Sequence, residues 1–268
     1  MRPAICSTIL VLSCAVILGA EPQQDDQRKA AALWDQAIAA KGGRERLAAI
    51  RSFAIYEKTV FRKPLPEFAS ARVHQILCEL PDRWWEFLDY RPGKMGYSVT
   101  AANAQTGLGW STLGGAPRPF LRRYTGLATR VRQLQYVYFL ETRTVRPVPV
   151  RASRATHRFN AVDRVETVFD DDRVVFDFDV KTHLPVRIEA TLKSTLPPLR
   201  PGMQAPGDMR FVYELSEYEE IGGIMLPTRV KLGNDAAQTR VEINPDYDAA
   251  IFSTPPSPDS TIDSWRAK

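Results

Sequence analysis

An antiparallel β-sheet with helices laid against one of its faces is the fold class that these 268 residues predict. Three observations carry it. Between Val174 and Leu192, Val174, Phe176 and Phe178 alternate with Val175, Asp177 and Asp179; after a break at Lys181-Thr182-His183, Val186, Ile188, Ala190 and Leu192 alternate with Arg187, Glu189, Thr191 and Lys193. A period of two with apolar residues on one face and charges on the other describes a hairpin with one side on a core and one in water. Runs of strand length, separated by proline and glycine, recur on both sides of this hairpin. Only two stretches, one near the start and one over residues 117 to 141, carry a helical period instead.

The first twenty residues read as an export signal. Arg2 precedes an apolar run from Ile9 to Leu18, and Gly19-Ala20 comes before a polar segment. Such a run is too short to span a membrane as a mature helix. Two processing routes fit. Cleavage after about Ala20 gives a soluble periplasmic or secreted chain, whereas Leu12-Ser13-Cys14 read as a lipobox makes Cys14 a lipidated, outer-membrane-anchored first residue. Residues 21 to 252 then form one domain, and residues 253 to 268, with Pro255-Pro256 and Pro258, an extended tail. Cys6 and Cys14 lie in the signal and Cys78 is left alone between Leu77 and Leu80, so no internal disulfide is expected and Cys78 reads as a core thiol.

Within the mature chain, Asp25 or Asp26 can cap a helix whose Ala30, Leu33, Trp34, Ala37 and Ile38 share a face, and Gly42-Gly43 ends it. Strands are expected at Ser52 to Phe61, Ala71 to Leu80, Arg83 to Tyr90 and Met95 to Ala102, with a short one through Trp110. Phe120, Tyr124, Leu127, Val131, Leu134 and Tyr138 then fall on one side of a helix, with Arg122, Arg123, Arg130 and Gln133 opposite. After Val150 the sheet resumes through Phe159 to Phe169, the hairpin, a proline-rich loop at 197 to 207, and strands containing Phe211, Val230 and Val241.

Charge is distributed unevenly. The segment from Ala116 to Arg158 holds ten arginines, no lysine and Glu141 as its only acid, so it is net positive while the rest of the mature chain is net negative. Its plain reading is a solvated basic face. Its functional reading is a surface, centred on Arg122, Arg123, Arg130 and Arg132, that meets anionic membrane head groups or an acidic envelope protein. No nucleic-acid partner is expected, because the chain is exported and lacks a recognition motif.

The ordering of elements, Gly107-Leu108-Gly109-Trp110, Asp177-x-Asp179-x-x-Thr182-x-Leu184-Pro185-Val186-Arg187, and Tyr218 followed by Gly223-Ile224-x-Leu226-Pro227 together resemble the outer-membrane lipoprotein-sorting superfamily of periplasmic carriers and receptors. Leu184-Pro185-Val186-Arg187 is echoed by Leu226-Pro227-Thr228-Arg229. The resemblance implies a mainly β, unclosed barrel: a strongly curved antiparallel half-barrel of about eleven strands, with helices covering a concave face that holds an acylated ligand. A lipid or lipoprotein carrier or sensor follows from it. Candidates for the apolar lining are Trp85, Phe87, Trp110, Phe139, Phe176, Phe178, Phe211 and Tyr213, each of which also suits an ordinary core. Trp84-Trp85 sends one indole to each face, so at most one of them belongs to an interior.

Catalytic signals are absent from the sequence. It carries no Gly-x-Ser-x-Gly elbow, no His-Glu-x-x-His, no P-loop and no dinucleotide fingerprint. His74, His157 and His183 have no local ligand spacing and read as structural, so no catalytic residue, metal or cofactor is expected. A hydrolase with a site assembled from distant residues is the remaining enzymatic alternative.

Overall fold

The computed structural model describes residues 22–61, 71–91, 96–103, 108–112, 116–119, 138–169, 172–193, 207–233, 235–255, 257 and 260–267. The expected export signal, most of the expected helix at 117 to 141, and the proline-rich loop lie outside them.

Two helices open the described chain, α1 (Pro22–Lys41) and the short α2 (Arg44–Ala48). Thirteen strands follow: β1 (Ser52–Val60), β2 (Ala71–Glu79), β3 (Arg83–Asp89), β4 (Tyr97–Asn103), β5 (Leu108–Ser111), β6 (Arg118–Pro119), β7 (Val148–His157), β8 (Asn160–Phe169), β9 (Asp172–Asp179), β10 (Pro185–Leu192), β11 (Met209–Ile221), β12 (Ile224–Leu232) and β13 (Asp235–Ile243). All thirteen join in one sheet, in the order β6-β5-β4-β3-β2-β1-β13-β12-β11-β10-β9-β8-β7, with every pairing antiparallel. The sheet therefore exceeds the expected eleven strands and stays open, with β6 and β7 at its edges. It is two meanders joined at the middle, where β1 pairs with β13 and sets Phe53 beside Ile243 and Ile55 beside Val241. Asn244 fastens this junction: its Oδ1 accepts from the backbone N–H groups of Arg51 and Ser52, and its Nδ2 donates to the Ala49 carbonyl.

Strand alternation sorts the core in two. On the first face, Phe53, Ile55, Ile76, Cys78, Trp84, Phe176, Phe178, Ile188 and Val241 pack against Ala30, Trp34, Ala37 and Ile38 of α1. Trp34 is the anchor. It sets its indole edge-on to Phe176 at 5.0 Å and to Phe178 at 6.1 Å, and its Nε1 donates to Glu141 at 3.2 Å. Such edge-to-face pairs add about 0.5–1.5 kcal/mol to the area they bury. The glycine pair ends α1 as expected, with Gly42 and Gly43 at φ 125° and 91°. A second constraint acts at Gly42, where a Cβ would stand 2.3 Å from the Gly223 carbonyl oxygen, so the helix end and the β11–β12 turn touch through backbone.

The other face carries Ala54, Leu77, Trp85, Phe87, Val99 and Ala101, closed by Ile251, Phe252 and Ile262. These come from 3-10 turns at Ala249–Phe252 and Ile262–Trp265. The C-terminal segment is thus docked where an extended tail was expected. Its polar ties are specific: Arg266 donates to Glu242 at 2.6 Å and to the Tyr56 hydroxyl at 2.9 Å, and the Ile262 N–H donates to Gln75. Few of its residues are apolar, but each large one meets a strand face that would otherwise be wet.

The charged side of the central hairpin also departs from expectation. Asp177 was read as solvated, yet its carboxylate is fully buried under Arg164, whose Nε and Nη2 donate to it at 2.6 and 2.9 Å. The register is the reason. Arg164 on β8 and Arg187 on β10 both stand directly opposite Asp177, so two guanidinium groups close over one acid. The ladder continues to Glu189, which accepts from Arg210 and Arg187; these hydrogen bonds outweigh partial desolvation and hold its carboxyl at about 2. Arg154 and Arg158 of the basic segment pair with Asp163 and Glu214, so part of that excess is used within the sheet. Among the described residues no helix is long and apolar enough to cross a membrane.

Replacing Trp34 by alanine removes the contact that holds α1 to β9, and urea unfolding should show a loss of about 3–5 kcal/mol. Phe159→Ser is the matching control. This phenylalanine is fully exposed at the tip of the β7–β8 hairpin, so its loss should change stability by no more than about 0.5 kcal/mol.

Candidate ligand cavity

On the first face a cavity of about 350 Å³ lies over the ends of β1, β2, β3, β11, β12 and β13. Phe61, Leu88, Phe211, Tyr213, Val230, Leu232 and Ala237 supply an apolar wall. The remaining wall is polar: Glu57, Thr59, Arg72, His74, Glu86 and Asp235.

Three of these polar groups form a buried cluster. His74 Nδ1 lies 2.8 Å from a Glu57 carboxylate oxygen and its Nε2 lies 2.8 Å from one of Glu86. The sheet builds this sandwich by parity. Glu57 faces the same way as Phe53 and Ile55, His74 the same way as Ile76 and Cys78, and Glu86 the same way as Trp84; β1, β2 and β3 are neighbours, with His74 directly opposite Glu57. The Tyr138 hydroxyl adds a longer hydrogen bond to the second oxygen of Glu57, at 3.4 Å.

Electrostatics fix the protonation of this cluster. Burial pushes the His74 imidazolium down, but hydrogen bonds to Glu57 and Glu86, then their charges, more than reverse this and raise it above 6.5. Burial pushes Glu57 up, and the hydrogen bond and charge of His74 overcome it and hold the carboxyl below 4.5. Both shifts favour an imidazolium that donates from its ring nitrogens toward Glu57 and Glu86. Tyr138 is driven well above 10, by burial first and then by the Glu57 charge, so its hydroxyl stays protonated. With both ring nitrogens engaged, His74 has none to offer a substrate, and the arrangement suits holding a ligand better than moving its protons.

Arg72 supplies the other polar feature. Its Nη2 donates to Thr59 Oγ1 at 3.3 Å, while its Nε is buried with no hydrogen-bond partner among the described residues.

The eight aromatic residues singled out from the sequence do not share one interior. Phe211 and Tyr213 line the cavity. Phe139, Phe176 and Phe178 lie on the same face within closed core, Phe139 against Phe53 at 4.8 Å and the other two under Trp34. Trp85 and Phe87 pack on the opposite face beneath the C-terminal segment, and Trp110 donates there to the Ser253 carbonyl. Strand parity separates them, because Trp85 and Phe87 are odd neighbours of Trp84 and Glu86. Arg122, Arg123, Arg130 and Arg132 lie outside the described residues.

No protein-family model and no curated protein sequence matches the chain. Solved structures do. They include a DUF1329 family protein from Desulfovibrio piger, 10% identical, with TM-score 0.47 over 83% of this chain and 96% of that one. A putative outer membrane lipoprotein-sorting protein domain from Vibrio parahaemolyticus is 10% identical, with TM-score 0.42 over 85% and 97%. A LolA superfamily protein from Nitrosomonas europaea is 11% identical, with TM-score 0.43 over 81% and 97%.

Glu57, His74, Glu86 and Arg72 were missed by sequence reading, although a signal was present. On three successive strands a titratable residue sits in the inward register beside an apolar one, Glu57 after Ile55, His74 before Ile76 and Glu86 between Trp84 and Leu88. What the sequence did not show is that β1, β2 and β3 bring these positions side by side.

The cluster predicts a pH dependence. His74 contributes its full stabilisation below 6.5, and loses it as pH rises through its raised folded value; Glu57 contributes fully above 4.5, and loses it as pH falls through its lowered one. Urea unfolding across pH should therefore show the cluster's contribution greatest between these two values. His74→Gln should abolish the decline on the alkaline side, and Glu86→Gln should move that decline to lower pH.

Proposed function

We propose that the chain is an exported cell-envelope protein that binds an apolar or acylated ligand, as a lipid or lipoprotein carrier or sensor. One observation carries this reading: on the face of the open sheet that α1 packs against, a cavity is walled by Phe211, Tyr213, Leu88, Val230 and Ala237. An apolar wall of this kind holds hydrocarbon by burial, at roughly 0.8 kcal/mol per methylene, without any catalytic group. The sequence resemblance to lipoprotein-sorting carriers and the export signal agree with it. Residues 1 to 20 direct the chain across the inner membrane, and the carrier works in the periplasm or, if Cys14 is lipidated, at the outer membrane.

The mature chain purified without detergent exchange should show lipid-mass adducts in native mass spectrometry, and it should take up an apolar fluorescent probe such as N-phenylnaphthylamine. Ala237→Phe places a ring in the cavity and should lower probe affinity at least about tenfold with the circular dichroism spectrum unchanged. Empty protein in every preparation, together with no probe uptake, would count against the proposal.

A further inference from the structure

The tip of the β7–β8 hairpin breaks both of the rules that place a phenylalanine. His157 and Asn160 pair, so the turn between them has two residues, Arg158 at φ 46° and Phe159 at φ 71°. A two-residue turn with both φ values positive favours asparagine and glycine, and a bulky aromatic held there is strained. Burial does not compensate, because Phe159 is fully exposed and belongs to neither core cluster. Single exposed apolar side chains are common, but one that is both strained and wholly in water gains nothing from the fold. Its gain must come from a partner.

Charge behind the tip selects the kind of partner. Arg158, next to Phe159 in the turn, also lines a pocket of about 340 Å³ on the charged face of β11 and β12, together with Arg229 and Lys231. Among the described residues two acids answer these three cations: Glu214 is shared by Arg158 and Lys231, and Glu217 accepts from Arg229 at 3.0 Å. Each guanidinium gives its acid one hydrogen bond while more than half of its side chain stands in solvent, which leaves donors for the oxygens of a phosphate. The pocket therefore suits anions.

Area then separates a membrane from a protein. A ring on a two-residue turn offers far less surface than the roughly 800 Å² per partner that a specific protein contact buries. A bilayer demands less: an aromatic ring settles in the head-group layer by its own surface, and clustered basic groups are drawn there by anionic lipid.

We propose that the β7–β8 tip is a membrane-docking finger, in which Phe159 enters the interfacial layer of an anionic bilayer while Arg158, Arg229 and Lys231 hold lipid phosphates behind it. The site lies away from the ligand cavity and does not depend on the carrier reading.

The test is co-sedimentation of the mature chain with vesicles of phosphatidylcholine mixed with phosphatidylglycerol, and with vesicles of phosphatidylcholine alone. Binding to the mixed vesicles should be at least about tenfold tighter and should weaken steeply as salt rises to about 0.5 M. Phe159→Ser should reduce that binding about tenfold or more, with the unfolding midpoint and N-phenylnaphthylamine uptake unchanged. Phe159→Trp should keep binding, and lipids brominated in the acyl chain should quench its fluorescence well beyond that of the wild type. Arg158→Gln and Lys231→Gln should each weaken binding to the mixed vesicles about fivefold. Equal binding to both vesicle types, no binding to either, or binding indifferent to Phe159→Ser overturns the proposal. So does a concentration-dependent dimer that Phe159→Ser abolishes while vesicle binding persists, since the ring then belongs to a contact between two copies.

Discussion

An open sheet of thirteen strands has two faces, and neither is closed by the sheet itself. This constraint governs the molecule. A closed barrel hides its interior by geometry, whereas here every apolar strand face must be covered by chain that is not strand. One face is covered by α1 through Trp34 and by Tyr138 and Phe139 from the chain that leads from one edge strand to the other. The opposite face is covered by two short 3-10 turns at the C-terminal end, whose Ile251, Phe252 and Ile262 sit on Trp85 and Phe87. The cavity lies on that first face, and Gly42 fixes the end of α1 against the Gly223 carbonyl.

The same constraint explains why so many charges are hidden. Charges that fall at buried strand positions must find partners there. They do so through cross-strand register. Asp177 lies directly between Arg164 and Arg187, and His74 lies between Glu57 and Glu86. The two clusters differ in purpose. The arginines around Asp177 satisfy it, and the ladder ends in ion pairs that face solvent. The His74 cluster borders the cavity, near a guanidinium Nε that has no acceptor among the described residues.

Much of the strand plan was legible in the sequence. The meander from Ser52 to Asn103, the Val174 to Leu192 hairpin, and the Ile221-Gly222-Gly223 turn all followed from period-two alternation broken by proline and glycine, because alternation and turn chemistry are local properties. Trp34 and Ile38 were legible as a buried helix face for the same reason. Docking of the C-terminal segment was not, since Pro255 and the polar residues around it have the composition of a free tail, and only contact with Trp85 and Phe87 gives Ile262 something to bury against. The His74 cluster was hidden in a similar way: each member is an ordinary strand residue until its neighbours are known.

By itself, then, the sequence determined which residues are strand, which way each side chain leans, and that a helix with an apolar stripe must lie on the result. It also led to the expectation of a fold without an internal disulfide, since Cys78 is the one cysteine beyond the expected export signal. Tertiary structure alone decided which strands lie side by side, and so which eight aromatic residues divide between two faces and which three charged residues meet. The physical reason is that alternation is written along the chain at intervals of two residues, whereas lateral pairing joins positions as far apart as Phe53 and Ile243, and nothing in a local pattern records that distance.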